Sequence, residues 1–164
     1  MFKVNDYVMY ASTGVCQVID ITKEKYINGD EIECYVLQTV FNDKMTIKTP
    51  VNNRKVLMRR VMTKEAALSM LASIPETETI WINDDRQRGA NYKAALKTGK
   101  SEDCMQIIKT IYLKKKENSS GGKKIKKSDE EIMKAAEKQL FEEVAIALDI
   151  SPNEVAPYIL EYIS

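Results

Sequence analysis

Residues 23–40, KEKYINGDEIECYVLQTV, set Asn28-Gly29 between two runs of strand-forming residues. An Asn-Gly pair in that place is a strong hairpin signal, because both central residues of a type I′ turn must accept positive φ. On the N-terminal side lie apolar residues 15–21, behind a turn at Ser12-Thr13-Gly14. Further back, Phe2, Val4, Val8 and Tyr10 share one parity against Lys3 and Asn5, the alternation of a half-buried strand. On the C-terminal side, Asn42-Asp43 predicts a second turn before residues 45–49, and Pro50 ends that strand. Four or five short antiparallel strands within about fifty residues fit a small SH3-like or Tudor-like barrel better than a large sandwich.

After Arg60 the hydrophobic period becomes helical. Ala66-Ala67, Met70-Leu71 and Ile74 form one stripe that Pro75 ends, and a polar stretch, residues 76–79, leads to Trp81. Ala94-Ala95-Leu96 with Gly99 reads as a helix end with glycine at C′. Cys104, Ile107-Ile108, Ile111 and Tyr112 mark the next helix, with Ser101 as its N-cap, and residues 117–127 read as a Ser/Gly/Lys loop. Ser128 with Glu131 and Ser151 with Glu154 form two capping boxes, the second with Pro152 at the first helical position. The apolar faces that follow are Ile132, Ala136, Leu140, Val144 and Ala147-Leu148, then Val155, Tyr158-Ile159 and Tyr162. Phe141, Tyr158 and Tyr162 read as core, and the acids of these two helices as solvent-facing. The class is therefore α+β: a small β domain over residues 1–60, then an all-α domain over residues 61–164, joined around residues 53–62.

Composition narrows the function. The chain has 164 residues, no histidine, and three widely spaced cysteines, Cys16, Cys34 and Cys104. Without histidine the usual general base, the commonest metal ligand and any Ser/His or Cys/His nucleophile are missing. No CxxC spacing or phosphate-binding glycine loop replaces them. A binding protein without a cofactor, rather than an enzyme, is expected. No apolar run reaches the roughly eighteen residues a membrane helix needs, and residues 1–6 lack the apolar core of a signal peptide. Eight methionines and unpaired cysteines fit a reducing cytoplasm.

The charge is divided along the chain. Residues 84–127 hold thirteen Lys and Arg against five Asp and Glu, whereas residues 128–164 hold nine acids and two bases. Trp81, the only tryptophan, stands at the entrance of the basic segment. A large flat aromatic heading a basic stretch points to a polyanion, with nucleic acid foremost. Arg86, Arg88 and Lys93 follow closely enough to grip neighbouring phosphates, and Lys100, Lys109 and Lys114-Lys115-Lys116 extend that surface. The competing view places Trp81 in the core between Ile80 and Ile82, and each lysine on an ordinary solvated face.

These residues also resemble a known family. Phe2-Lys3-Val4-Asn5-Asp6-Tyr7-Val8-Met9-Tyr10 followed by Gly14-Val15 is similar to the opening of the CarD-type transcription regulators. Thr46-Ile47-Lys48-Thr49-Pro50 looks like the strand that ends that family's RNA-polymerase-interacting domain, a module shared with the transcription-repair coupling factor. Trp81, Asn83, Arg86, Arg88, Tyr92 and the Lys97-Thr98-Gly99 turn resemble the start of CarD's helical DNA-binding domain. Residues 107–113 and 135–140 continue the likeness. Asn5, Ala11 and Thr13 stand where the family usually has Gly, Pro and His, and Ile82-Asn83-Asp84-Asp85 is more acidic than in some members.

The resemblance implies a bacterial protein that binds RNA polymerase and promoter DNA. In it, Lys25 and Lys48 would face the lobe of the polymerase β subunit, and strand parity alone points Lys48 to solvent. Trp81 would wedge into the minor groove at the upstream edge of the promoter bubble, with Arg86, Arg88, Lys93, Lys100 and Lys109 as DNA contacts. Such a wedge offsets part of an unstacking cost of a few kcal/mol per base step. Two other classes stay open. One keeps the polymerase-binding β domain but gives the helices a protein partner; the other is a nucleic-acid chaperone that needs no polymerase.

Overall fold

The computed structural model describes residues 1–41 and 44–163, the side chain of Ser12 excepted. Two compact units divide at residues 61 and 62, Met1–Val61 and Met62–Ser164. The first carries β1 (Tyr7–Tyr10), β2 (Gly14–Lys25), β3 (Glu31–Thr39), β4 (Thr46–Pro50) and β5 (Met58–Arg60). The second carries α1 (Lys64–Ser73), α2 (Asp85–Lys97), α3 (Ser101–Ser120), α4 (Lys127–Leu148) and α5 (Pro152–Ile163). The chain is thus α+β, strands first and helices after.

The sheet runs β4-β3-β2-β1-β5, with every neighbouring pair antiparallel. Among the described residues β4 and β5 do not pair, so hydrogen bonding leaves the sheet open. Strand β5 falls in the stretch expected to be a linker. Its Met58-Arg59-Arg60 sequence has no alternation to betray it, and only pairing with β1 makes it a strand. Val8, Cys16, Val18, Tyr35 and Leu37 form the core of this unit, with Phe2 packed against them. The Phe2 ring meets Tyr35 edge-on at 5.8 Å, and the Phe2 N–H donates to the Tyr35 hydroxyl. Strand character nevertheless begins only at Tyr7, and Val4 is exposed. A bulge between Val18 and Asp20 interrupts the β2–β3 register, the device that bends a strand.

The hairpin forms where Asn28-Gly29 predicts, but its turn is of another type. Gly29 alone has positive φ, at 87°, and Asn28 does not. Gly29 N–H donates to Tyr26 C=O, and Tyr26 N–H to Asp30 C=O. That is a three-residue loop closed by a left-handed glycine, and Asn28 instead uses its side chain to accept from Asp30 N–H. The turn expected at Asn42-Asp43 lies outside the described residues. Asn5 has a φ of 79°, which explains why glycine serves at this position in the resembling family and why asparagine substitutes for it.

In the second unit, α1 and α2 start on capping side chains, whereas α3 starts at Ser101 with Lys100 at the N-cap and no side-chain cap, so Ser101 is not the cap expected. Thr63 accepts from Ala66 N–H ahead of α1, and Asp84 accepts from Arg86 and Gln87 N–H ahead of α2. Gly99, with a φ of 68°, ends α2 as expected. Helix α3 runs about one turn further than the Ser/Gly/Lys composition suggests. Helix α4 begins at Lys127 with no side-chain cap, so the Ser128–Glu131 box does not form. Of the second box, Glu154 accepts from Ser151 N–H at 2.9 Å.

The acidic helices are less exposed than their charge suggests. Asp129, Glu142 and Glu143 are buried, and Glu143 accepts the Met62 N–H at 2.9 Å. Conversely, Tyr158 and Tyr162 are exposed and Phe141 is only half-buried, so none of the three aromatics is fully core. In α5 the buried stripe is Val155, Ile159 and Ile163, spaced four apart.

Candidate nucleic-acid interface

Trp81 lies in the loop before α2, between exposed Ile80 and half-buried Ile82. Its own ring is half-buried, neither core nor free. Two cations approach it: the Arg88 guanidinium carbon at 4.1 Å from the ring centroid and the Lys114 ammonium at 5.1 Å. Both are within the roughly 6 Å over which a cation is drawn to an indole face. Arg88 comes from the first turns of α2, and Lys114 from the middle of α3.

Arg88 is 2% exposed, so its charge is costly unless it is paired. Asp129 of α4 receives it two-handed, Nε donating to Oδ1 at 3.0 Å and Nη2 to Oδ2 at 2.8 Å. Nη2 also donates to Asp85 Oδ1, and Nη1 to the Ile82 carbonyl, both at 2.8 Å. Asp129 and then Asp85 hold the guanidinium even further in its charged form than usual, against the pull of burial. Asp85 in turn pairs with Lys126, and these two cations, Lys126 foremost, keep its carboxyl below the ordinary aspartate range.

The acidic Asp84-Asp85 step after Trp81 therefore has a structural purpose. Asp84 caps α2, and Asp85 joins the network that fixes Arg88. Tyr92, one turn on from Arg88, is buried, and among the described residues its hydroxyl has no hydrogen-bond partner. Burial, with the Asp129 charge next in importance, pushes this phenol up to about 12.

Lys109 is the clearest correction. It is 7% exposed, and its ammonium donates to the carbonyls of Ile74, Pro75 and Thr77 at 2.8 to 2.9 Å. With its donors turned inward it has no reach to a phosphate. Instead it fixes the backbone that leads to Trp81. Arg88 is corrected for the same reason: its fork is spent inside the unit, and its surface contribution is the ring it supports. Arg86, Lys93 and Lys100 stay exposed. Arg86 and Lys93 line one groove between α2 and α4, floored by Gly89, Ala90 and Ile132, while Lys100 stands at the N-cap of α3. Asp129 escaped sequence reasoning. It lies 41 residues from Arg88, in a segment whose acidity reads as solvent-facing, and no local pattern links the two.

In the first unit, Lys25 and Lys48 are both exposed. The Lys48 ammonium donates to Glu24 Oε1 at 2.9 Å, which holds the Glu24 carboxyl below its ordinary range. Lys25 lies opposite Glu31 and immediately before exposed Tyr26 and Ile27 at the hairpin tip. Lys48 lies on edge strand β4, whose outer backbone groups have no strand partner among the described residues.

Compared with known families, residues 2–62 match the CarD-like/TRCF RID domain. This segment is thus similar to the CarD-like RNA-polymerase-interacting domains. The RID match spans all five strands and ends at Met62, where the second unit begins. A comparison with curated proteins finds no match to the chain. Among the described residues, no cluster of three His, Cys, Asp or Glu side chains is placed to hold a metal, and no helix is long and apolar enough to cross a membrane.

Proposed function

We propose that the chain is a CarD-type regulator of bacterial transcription, working in the cytoplasm by binding alone. Its RID domain docks on the β-subunit lobe of RNA polymerase, through edge strand β4 with Lys48 and the hairpin tip with Lys25. The bulge in β2 and the long β2–β3 ladder favour the curled, Tudor-like form that the resemblance implies. The helical unit grips promoter DNA at the upstream edge of the bubble, with Trp81 entering the minor groove and Arg86, Lys93 and Lys100 on nearby phosphates. Binding the open complex better than the closed one shifts that equilibrium without breaking a bond.

The observation that carries this reading is a half-exposed tryptophan backed by a buried arginine that makes four hydrogen bonds. An exposed ring with no support would cost order on binding, whereas a pre-positioned one loses little. Tethering matters too, because a polymerase-docked RID domain raises the effective concentration of the helical unit at the promoter. A second reading draws on the groove between α2 and α4. Its Gly89, Ala90, Leu96, Ile132 and Ala135 lining would suit a partner helix, making the chain a polymerase-bound adaptor.

Photocrosslinking separates the two. With a promoter labelled at the upstream fork, the chain should crosslink to DNA only when polymerase is present. Binding to DNA alone should be weak and lost with salt, the logarithm of affinity falling by about 0.9 per phosphate contact per log unit of salt. A polymerase-bound chain that gives no DNA crosslink sinks the promoter reading and leaves the adaptor.

A further inference from the structure

We propose that Arg88, held by Asp129, is the positioning residue for Trp81: it sets the angle at which the indole is presented to DNA and touches no DNA itself. The inference rests on the promoter reading above and adds a residue to it.

Burial is the first argument. Arg88 is 2% exposed and Asp129 3% exposed, so neither is placed to meet a phosphate. A buried ion pair is also a weak device for stability, since well-packed apolar residues of similar volume usually serve as well or better. What a bidentate arginine–carboxylate pair supplies is fixed geometry. The pair ties α2 to α4, and the Ile82 carbonyl, one residue past Trp81, is gripped by the same guanidinium at 2.8 Å. The backbone next to the indole and the ring itself are thus held by one group. Lys109 secures the chain on the other side through the Ile74, Pro75 and Thr77 carbonyls. Between these two clamps, Trp81 has little freedom to tilt.

Lys114 differs from Arg88 in this respect. Its side chain is 26% exposed and also pairs with Glu117 at 3.7 Å, so it covers the ring without locking it. Removing Arg88 should free the ring, while removing Lys114 should not.

Because Trp81 is the only tryptophan, intrinsic emission reports on it directly. The full-length chain is compared with an Arg88→Met/Asp129→Leu double variant, in which both buried charges go together, and with Asp129→Asn, which keeps the volume. Polymerase binding and the lifetime of the promoter open complex are measured on the same proteins. The expected result is a folded chain whose Trp81 emission shifts to the red and is more readily quenched by acrylamide. It should still bind polymerase but lose the wild-type effect on open-complex lifetime.

A folded variant with wild-type emission, quenching and open-complex effect would overturn the proposal. If the double variant does not fold, Asp129→Asn decides by the same three readings. Failure of the promoter reading looks different. There, Trp81→Ala itself leaves the open complex unchanged, while the emission of the Arg88 and Asp129 variants still moves. If emission stays put and Trp81→Ala abolishes the effect, the promoter reading survives and the positioning role of Arg88 falls.

Discussion

Ala11 sits at a φ of 43°, and its N–H donates to the Leu57 carbonyl at 2.8 Å. Proline, usual in the resembling family, would need a φ near −65° and would remove that donor. Ala11→Pro should therefore destabilise the first unit by about 2 kcal/mol or more, a loss that denaturant melts of the chain would register. Tyr92 makes the opposite case. Its hydroxyl is buried without a partner among the described residues, so Tyr92→Phe should leave stability at neutral pH within about 1 kcal/mol of wild type. The alkaline range separates them. With the phenol raised from 10.0 to about 12, the unfolded chain loses this proton first, so the stability it represents is full below pH 10 and lost as pH rises toward 12. Wild type should weaken more than Tyr92→Phe across that window, and parallel pH–stability curves would contradict the assignment. Individual residues were the least legible scale. Trp81 was prominent because it is unique in the chain, and exposed Lys48 because strand parity predicts it. Arg88 and Lys109 look from sequence like any other base, because burial is decided by partners 41 and 32 to 35 positions away.

At the scale of elements, legibility varied with how far local chemistry decides the boundary. Gly99 ends α2 where a C′ glycine is read from the sequence, and Gly29 closes the hairpin at the expected place. Strand β5 and the last turn of α3 were not legible, since pairing with β1 and continuation of the α3 ladder override weak local preference. The start of α4 shows the converse: Ser128 and Glu131 have the sequence of a capping box, yet Lys126 occupies the N-cap position and Asp129 is drawn to Arg88. The turn after α1 depends on a single side chain, Lys109. Lys109→Met keeps the length and apolar stem but leaves three carbonyls without their donor. It should cost about 2 kcal/mol or more and increase amide exchange around residues 74–81, with the first unit unaffected. Unchanged exchange there would mean that Lys109 does not hold the approach to Trp81.

For the whole molecule, the order of strands then helices made the α+β class legible. The steep division of charge along the chain proved less informative than it looked. Lys126 is paired with Asp85, Lys115 with Glu130, and the acids Asp129 and Glu143 are buried rather than spread on a repelling face. Arg86 and Lys93 remain exposed on α2, and under the proposed function they would make a weak DNA contact that polymerase docking of the first unit strengthens. The proposed effect on DNA depends on polymerase and on one ring. The most direct measurement is the lifetime of a promoter open complex formed by the cognate RNA polymerase, with wild-type chain and with Trp81→Ala. Wild type should change the lifetime, and the variant, still bound to polymerase, should not. Equal effects of the two proteins would contradict this.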